Sequence, residues 1–155
     1  MATGDIKWFQ QGILDLGTKI HNLTADALQL GIVTTTTVPT MATVAPHWGG
    51  TGTTNFATNQ VGTGGGYTGP IALLSVTWTN VSGVLTLKAT DVVVPQNASG
   101  FSNGAYGIIY NNTDTNKRAI GFIELSSAGT LSIVSGSFTI DFQGAGTDVL
   151  RITPS

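Results

Sequence analysis

The sequence has no cysteine and little charge, and each shortage excludes a class of protein. Without cysteine, neither a disulfide framework nor a thiolate metal site can form. Only 9% of the 155 residues are charged, against about 25% in an average soluble domain. The six lysines and arginines are scattered, apart from the pair Lys117 and Arg118. Because nucleic-acid binding usually needs a clustered basic face, we expect no nucleic-acid partner.

Long apolar runs are missing as well. No apolar stretch reaches the length that a membrane-spanning helix needs, and the first nine residues lack the apolar region of a signal peptide. We therefore expect no membrane partner, and we expect the chain to stay in the compartment where it is made until something carries it elsewhere. Its length predicts one domain covering residues 1–155.

Histidine is scarce, which limits the metal and acid–base chemistry that the chain can support. The only two are His21 and His47, and neither has a second histidine or a cysteine at metal-ligand spacing. We predict no metal and no cofactor. His21 follows the predicted helix and is expected to be exposed or to cap that helix, whereas His47, between Pro46 and Trp48, is expected to be a packed loop residue.

Three carboxylates, Asp91, Glu124 and Asp141, lie at or within predicted strands. A general acid–base pair needs two carboxylates that converge in a pocket, and nothing in this spacing requires convergence. We interpret them as charges at strand ends or on outward faces. The serines form no G-x-S-x-G elbow. The sequence therefore predicts a protein without enzymatic activity, with a hydrolase that uses these carboxylates as the less favoured alternative.

One segment near the N-terminus has a helical period, which predicts a helix over residues 5–20. Glycines at positions 12 and 17 interrupt the pattern, each at a cost of about 1 kcal/mol relative to alanine. Such a helix needs a surface to lie on. The apolar residues of its predicted inner face recur at i, i+4, i+7 and i+11: Phe9, Ile13, Leu16 and Ile20.

The remainder of the chain has the alternation of β-strands. The first is predicted at residues 28–33, and a hairpin is predicted around the turn at residues 80–83. Strands about 8–12 residues apart predict a mainly β protein, an antiparallel β-sandwich or jelly-roll-like barrel with one short N-terminal helix. In the segment 71–79, one strand face is expected to carry Ala72, Leu74, Val76 and Trp78. Further strands are predicted at residues 84–90, 91–94, 105–110, 119–125, 131–133, 138–142 and 149–152.

Residues 40–69 predict a long loop rich in glycine and threonine, with eight glycines between positions 49 and 69. A loop of this length is usually functional or flexible. Three aromatic residues lie in it, so their rings either pack on the domain or anchor a partner. Together with one aromatic residue of the N-terminal segment, they are the candidate partner contacts: Trp8, Trp48, Phe56 and Tyr67.

The order and spacing of several motifs resemble a family of small virion structural proteins of tailed bacteriophages, over nearly the whole chain. The motifs are Lys7-Trp8-Phe9 followed by residues 12–16, and residues 23–33, 62–67, 89–94, 106–110, 136–142 and 150–154. Members of this family include head decoration (cement) proteins and tail-associated proteins. The resemblance implies a non-enzymatic virion protein, located in the virion and assembled in the cytoplasm of the bacterial host.

Two functions follow as hypotheses. The leading one is a capsid decoration protein that binds the major capsid protein, or another virion protein, and stabilises the shell. It is expected to form a homo-oligomer, with a trimer matching a threefold site of the capsid, and to use the helix and residues of the 40–69 loop as contact surfaces. The alternative is a tail or head fibre component that binds a host-surface glycan, with Trp48, Phe56 and Tyr67 as stacking platforms.

Overall fold

The computed structural model describes residues 6–127, 129–142 and 150–152, which are mainly β with one α-helix. The helix, α1, is Gln10–Gly17, and a 3-10 helix covers Phe56–Asn59. This confirms the predicted mainly β class with one short N-terminal helix. The strands are β1 Lys7–Trp8, β2 Leu28–Val33, β3 Pro46–His47, β4 Thr54–Asn55, β5 Ile71–Ala72, β6 Thr77–Val81, β7 Val84–Lys88, β8 Val92–Val94, β9 Tyr106–Asn111, β10 Ala119–Glu124, β11 Phe138–Ile140 and β12 Leu150–Ile152.

Five strands form the central sheet, in the order β1-β10-β9-β2-β5, and every pair in it is antiparallel. Strands β12, β7 and β6 form a second antiparallel sheet, and β11 pairs with β8. The short pair β3–β4 is parallel. The predicted strand at residues 28–33 is β2, with the predicted bounds, and its position between β9 and β5 makes it nearly central.

Both faces of the central sheet are buried. One face contributes alternate residues such as Leu30, Ile32 and Ile109 to a core that also contains side chains of β7, β8 and β11. The opposite face contributes Val33 and Ile108 to a second cluster, which the segment 46–59 covers. Strand β2 is therefore buried on both faces: Leu28, Leu30 and Ile32 belong to the main core, and Val33 belongs to the second cluster.

The N-terminal helix is shorter than predicted and presents a different face to the sheet. Residues 7 and 8, predicted as helical, form β1 and pair with β10. Within α1 the buried residues are Gly12 and Asp15, whereas Ile13, predicted to face inward, is 43% exposed. A β-carbon on Gly12 would lie 2.5 Å from the carbonyl oxygen of Ile120. The helix therefore docks through a close backbone approach that only glycine permits.

Residues 40–69 are not one irregular loop, because they contain β3, β4 and the 3-10 helix. The Asn55 side chain organises the segment: its Oδ1 accepts from the backbone N–H of Gly49 at 2.9 Å and of Ala57 at 3.1 Å. The second of these bonds caps the 3-10 helix. Apolar packing of Trp48 and Phe56 in the second core cluster then holds the segment on the sheet.

The predicted hairpin at residues 80–83 is confirmed. Val81 pairs with Val84, and the two residues between them, Ser82 and Gly83, have φ angles of 52° and 85°. Two positive φ angles in a two-residue connection are the signature of a type I′ turn, whose twist matches that of the flanking strands.

The single strand predicted over residues 71–79 is wrong. The structure has β5 and β6 there, separated at Ser75, whose φ of 52° lies in the left-handed region. Because of this break, Leu74 does not share a face with Trp78 as predicted. Leu73 is buried, and Leu74 is exposed.

The later strand predictions at residues 91–94, 105–110, 119–125, 138–142 and 149–152 correspond to β8 to β12, whereas residue 131 makes only a single bridge to Gly104. Residue 149, the first of the last predicted strand, lies outside the described residues. None of the described helices is long and apolar enough to cross a membrane.

Candidate functional site

The four aromatic residues predicted as partner contacts all lie in the interior. Trp8 is 7% exposed and packs edge-to-face on Trp78, with 6.2 Å between ring centroids. Trp48 and Phe56 belong to the core cluster on the opposite face of the sheet, and Tyr67 is fully buried. These rings pack inside the domain, because the segment that carries three of them folds back onto the sheet. A partner contact through them stays a prediction.

Each ring has a defined packing partner in the domain. Trp48 stacks on Tyr110 with 5.4 Å between ring centroids and an interplanar angle of 5°. The hydroxyl of Tyr67 accepts a hydrogen bond from the backbone N–H of Ile32 at 3.0 Å. Burial raises the pKa of Tyr67 to about 12, an effect that this hydrogen bond partly offsets. Rings packed in this way expose no face on which a glycan could stack, so their burial does not support the alternative function.

His21 is also buried, contrary to the expectation that it would be exposed or cap the helix. Its Nδ1 accepts a hydrogen bond from the side-chain amide of Asn111 at 3.1 Å, and the same amide donates to Asp26. The amide orientation is fixed because Asn111 Oδ1 accepts from the backbone N–H groups of Thr113 and Asp114. A neutral His21 therefore carries its proton on Nε2.

A buried polar cluster surrounds that proton. His21 Nε2 lies 3.8 Å from Asp15 Oδ2, and neither atom has a hydrogen-bond partner in the described part of the chain. The Arg118 Nε lies 4.0 Å from the same Asp15 oxygen and 3.8 Å from Asp114 Oδ2. Burial lowers the pKa of His21, and this effect outweighs the opposing attraction of Asp15. The cluster joins α1, the 19–26 segment and the end of β9.

This cluster fits a structural role better than a catalytic one. The His21 side chain is sealed from solvent, whereas a general base has to reach a proton of the substrate directly or through one water. No local pattern in the sequence signals the cluster, because Asn111 is 90 positions from His21. His47 is buried, as predicted, but it lies in the short strand β3 rather than in a loop, and its Nδ1 lies 3.2 Å from the carbonyl oxygen of Ala45.

The three carboxylates of the less favoured hydrolase alternative, Asp91, Glu124 and Asp141, are all exposed. Asp91 accepts a hydrogen bond from the backbone N–H of Phe142 at 2.8 Å, and Glu124 is exposed at the end of β10. Within the described ranges, no group of three or more histidine, aspartate or glutamate side chains has the geometry to hold a metal ion. The absence of enzymatic activity stays a prediction.

Exposed apolar side chains concentrate near the N-terminus. Of the eight large apolar side chains exposed in the described part of the chain, five come from α1 and from residues 38–44. The backbone N–H of Gln10 donates to the carbonyl of Met41 at 2.9 Å, which holds the two segments together. We call these five residues the N-terminal apolar surface: Ile13, Leu14, Val38, Met41 and Val44.

A groove opens beside this surface, between the second half of α1, residues 19–24 and the β6–β7 hairpin. Its volume is about 610 Å³, within the range of roughly 300–1,000 Å³ typical of ligand pockets. Lys19 is the only lysine, arginine, aspartate or glutamate among the described residues that line it. Its apolar wall consists of Ile13, Leu16, Leu23, Trp78 and Leu85.

Comparisons with known protein families, with curated proteins and with solved structures gave no match for this chain. The resemblance to tailed-phage virion proteins therefore stays a prediction from the sequence motifs.

Proposed function

We propose that this chain is a non-enzymatic structural protein of a tailed-phage virion, a capsid decoration protein that binds the major capsid shell and stabilises it. The observation that carries the proposal is the N-terminal apolar surface. Leu14 is 57% exposed and Val44 64%, and exposed apolar side chains concentrated on two hydrogen-bonded segments are typical of a protein–protein contact.

The composition supports an assembly role. With 9% charged residues, the chain has few of the charges that keep a soluble monomer apart from other proteins. Helix α1 and residues 38–44 are the elements through which it binds the shell. A decoration protein stabilises the shell through many copies, because each copy makes a modest contact and the contacts add up over the closed lattice. In this proposal the chain forms a homo-oligomer at a symmetry axis of the shell, with a trimer at a threefold site.

Binding to purified particles that lack the chain tests this proposal. The wild-type protein is expected to bind such particles saturably and to raise the temperature at which they release DNA. A Leu14→Lys/Met41→Lys variant places two charges in the N-terminal apolar surface and is expected to lose binding, because burial of an unpaired charge is costly. Both side chains are exposed, so the variant is expected to fold.

Leu74→Lys is the matched control, since Leu74 is equally exposed but lies outside the N-terminal apolar surface. It is expected to bind as the wild type does. Failure of the wild-type protein to bind any part of the particle would contradict the proposed function. Equal binding by the double variant would contradict the role of this surface.

A further inference from the structure

We infer that the groove beside α1 is an anchoring site for a partner segment that carries a bulky apolar side chain next to a carboxylate. The inference rests on the proposed function for the source of that segment, which is the virion protein that the N-terminal apolar surface contacts. The groove and that surface share Ile13, so they adjoin each other at this residue of α1.

The shape and lining of the groove select the apolar side chain. Leu16 and Trp78 are only partly buried, and both pack against the main core. The floor of the groove is therefore rigid, because it is attached to the interior of the domain. The Trp78 ring is fixed further by its edge-to-face contact with Trp8. A rigid apolar recess of this size favours an aromatic or branched side chain, which loses little conformational entropy on binding.

Charge selects the neighbouring group. Lys19 is exposed at the rim, with a φ of 64° in the turn that ends α1. Two hydrogen bonds fix that turn, from the backbone N–H of Lys19 to the carbonyl of Leu16 and from that of Ile20 to the carbonyl of Asp15. They form a Schellman motif, in which a residue with positive φ is usually glycine. The position of the lysine is thus set by the helix end, and without an acidic residue in the lining it attracts an anionic group.

A capped hexapeptide, Gly-Gly-Phe-Asp-Gly-Gly, is the probe for this site. Added to the isotope-labelled full chain, it is expected to shift the NMR signals of Ile13, Lys19 and the Trp78 indole N–H in a saturable way. A peptide with alanine in place of phenylalanine is expected to cause no such shifts. A peptide with lysine in place of aspartate is expected to bind about threefold more weakly, the size of effect that an exposed ion pair gives.

The Lys19→Glu variant makes the test specific, because it should reverse the preference and bind the lysine peptide more tightly than the aspartate peptide. The change keeps a β-carbon at the strained position, so the turn is equally strained in both proteins. Lys7→Glu is the matched control, an exposed lysine of β1 outside the groove lining, and it should keep the wild-type preference.

Two results would overturn the inference: shifts of the groove signals that do not depend on the phenylalanine, or a peptide preference that Lys19→Glu leaves unchanged. Neither result depends on particle binding, so failure of the groove inference and failure of the decoration function can be told apart. If the peptides bind as expected but the protein does not bind the particles, the groove inference is supported and the proposed virion partner is contradicted.

Discussion

The indole ring of Trp48 lies directly on Gly31 of β2, where a β-carbon would stand 2.2 Å from the ring atom Cη2. Because Gly31 has no side chain, the indole ring can lie against the backbone of β2 while it stacks on Tyr110. This contact explains why the 46–59 segment packs against the sheet, and why an aromatic residue predicted as a partner contact is buried.

Replacing Gly31 with alanine is expected to destabilise the fold by about 1–3 kcal/mol, the usual cost of overpacking a tight core. The new methyl group would push the Trp48 ring away from the sheet and weaken the cover over the second core cluster. Urea unfolding followed by tryptophan fluorescence measures the change in the free energy of unfolding. An unchanged unfolding midpoint would show that the ring does not lie where the structure places it.

The two glycines of α1 are expected to respond in opposite ways to alanine. At Gly12, a β-carbon would meet the backbone of Ile120, which cannot move without disturbing β10. Gly12→Ala is therefore expected to cost about 1–3 kcal/mol despite its better helix propensity. At Gly17, no atom lies within 4 Å of the place that a methyl group would occupy, so Gly17→Ala is expected to gain up to about 1 kcal/mol.

The comparison of these two variants has its own internal control, since both make the same chemical change in one helix. Thermal unfolding followed by circular dichroism gives both values. Equal effects at the two positions would contradict the close docking of α1 on β10.

Because His21 is buried, we expect the protein to lose stability in weak acid. Its pKa is lowered in the folded protein from the ordinary value of 6.5, chiefly by burial, and protonation would also turn Nδ1 into a donor that faces the donating amide of Asn111. The unfolded chain then binds more protons than the folded one below pH 6.5. The contribution of His21 to the free energy of unfolding is therefore complete above that pH, and it decreases as the pH drops toward the lowered pKa.

His21→Gln removes this titration and is the variant to compare. Its free energy of unfolding is expected to be lower than that of the wild type at pH 7.5, and to fall less between pH 7.5 and pH 5.5. His47→Gln removes the only other histidine and is expected to leave the acid-dependent loss in place. An identical pH dependence in wild type and His21→Gln would rule out His21 as its source.

Removal of the Tyr67 hydroxyl is expected to destabilise the domain although the ring stays. In Tyr67→Phe the backbone N–H of Ile32 loses the hydroxyl oxygen that accepts its hydrogen bond in the core. A buried donor without a partner costs about 1–3 kcal/mol. Chemical denaturation measures this loss, and a change below about 0.5 kcal/mol would indicate that water or another group replaces the hydroxyl.

Local patterns in the sequence were sufficient for much of the fold. The alternation at residues 28–33 predicted β2, and the turn at residues 80–83 predicted the β6–β7 hairpin, because both depend on neighbouring residues. The inward face of the helix was predicted wrongly. The helix contacts Ile120 through Gly12, and a pattern of apolar side chains does not indicate a contact made by a glycine.

The site was less accessible to sequence reasoning than the fold. Aromatic residues in a glycine-rich segment had two open interpretations, and long-range packing decides for burial. Trp48 lies on Gly31, and Phe56 and Tyr67 are fully buried. The helix and the segment 40–69 stay predicted contact surfaces, and the exposure of Leu14 and Met41 is what such a role requires. The cluster around His21 depends on residues far apart in the sequence, so no local motif predicts it.

The position of the chain in an intact virion tests the central claim most directly. A density map of the whole particle is expected to show the chain in many copies over the capsid shell, with Ile13, Leu14 and Met41 facing the major capsid protein. Density for the chain only at the tail, or on the shell with this surface turned to solvent, would contradict the account.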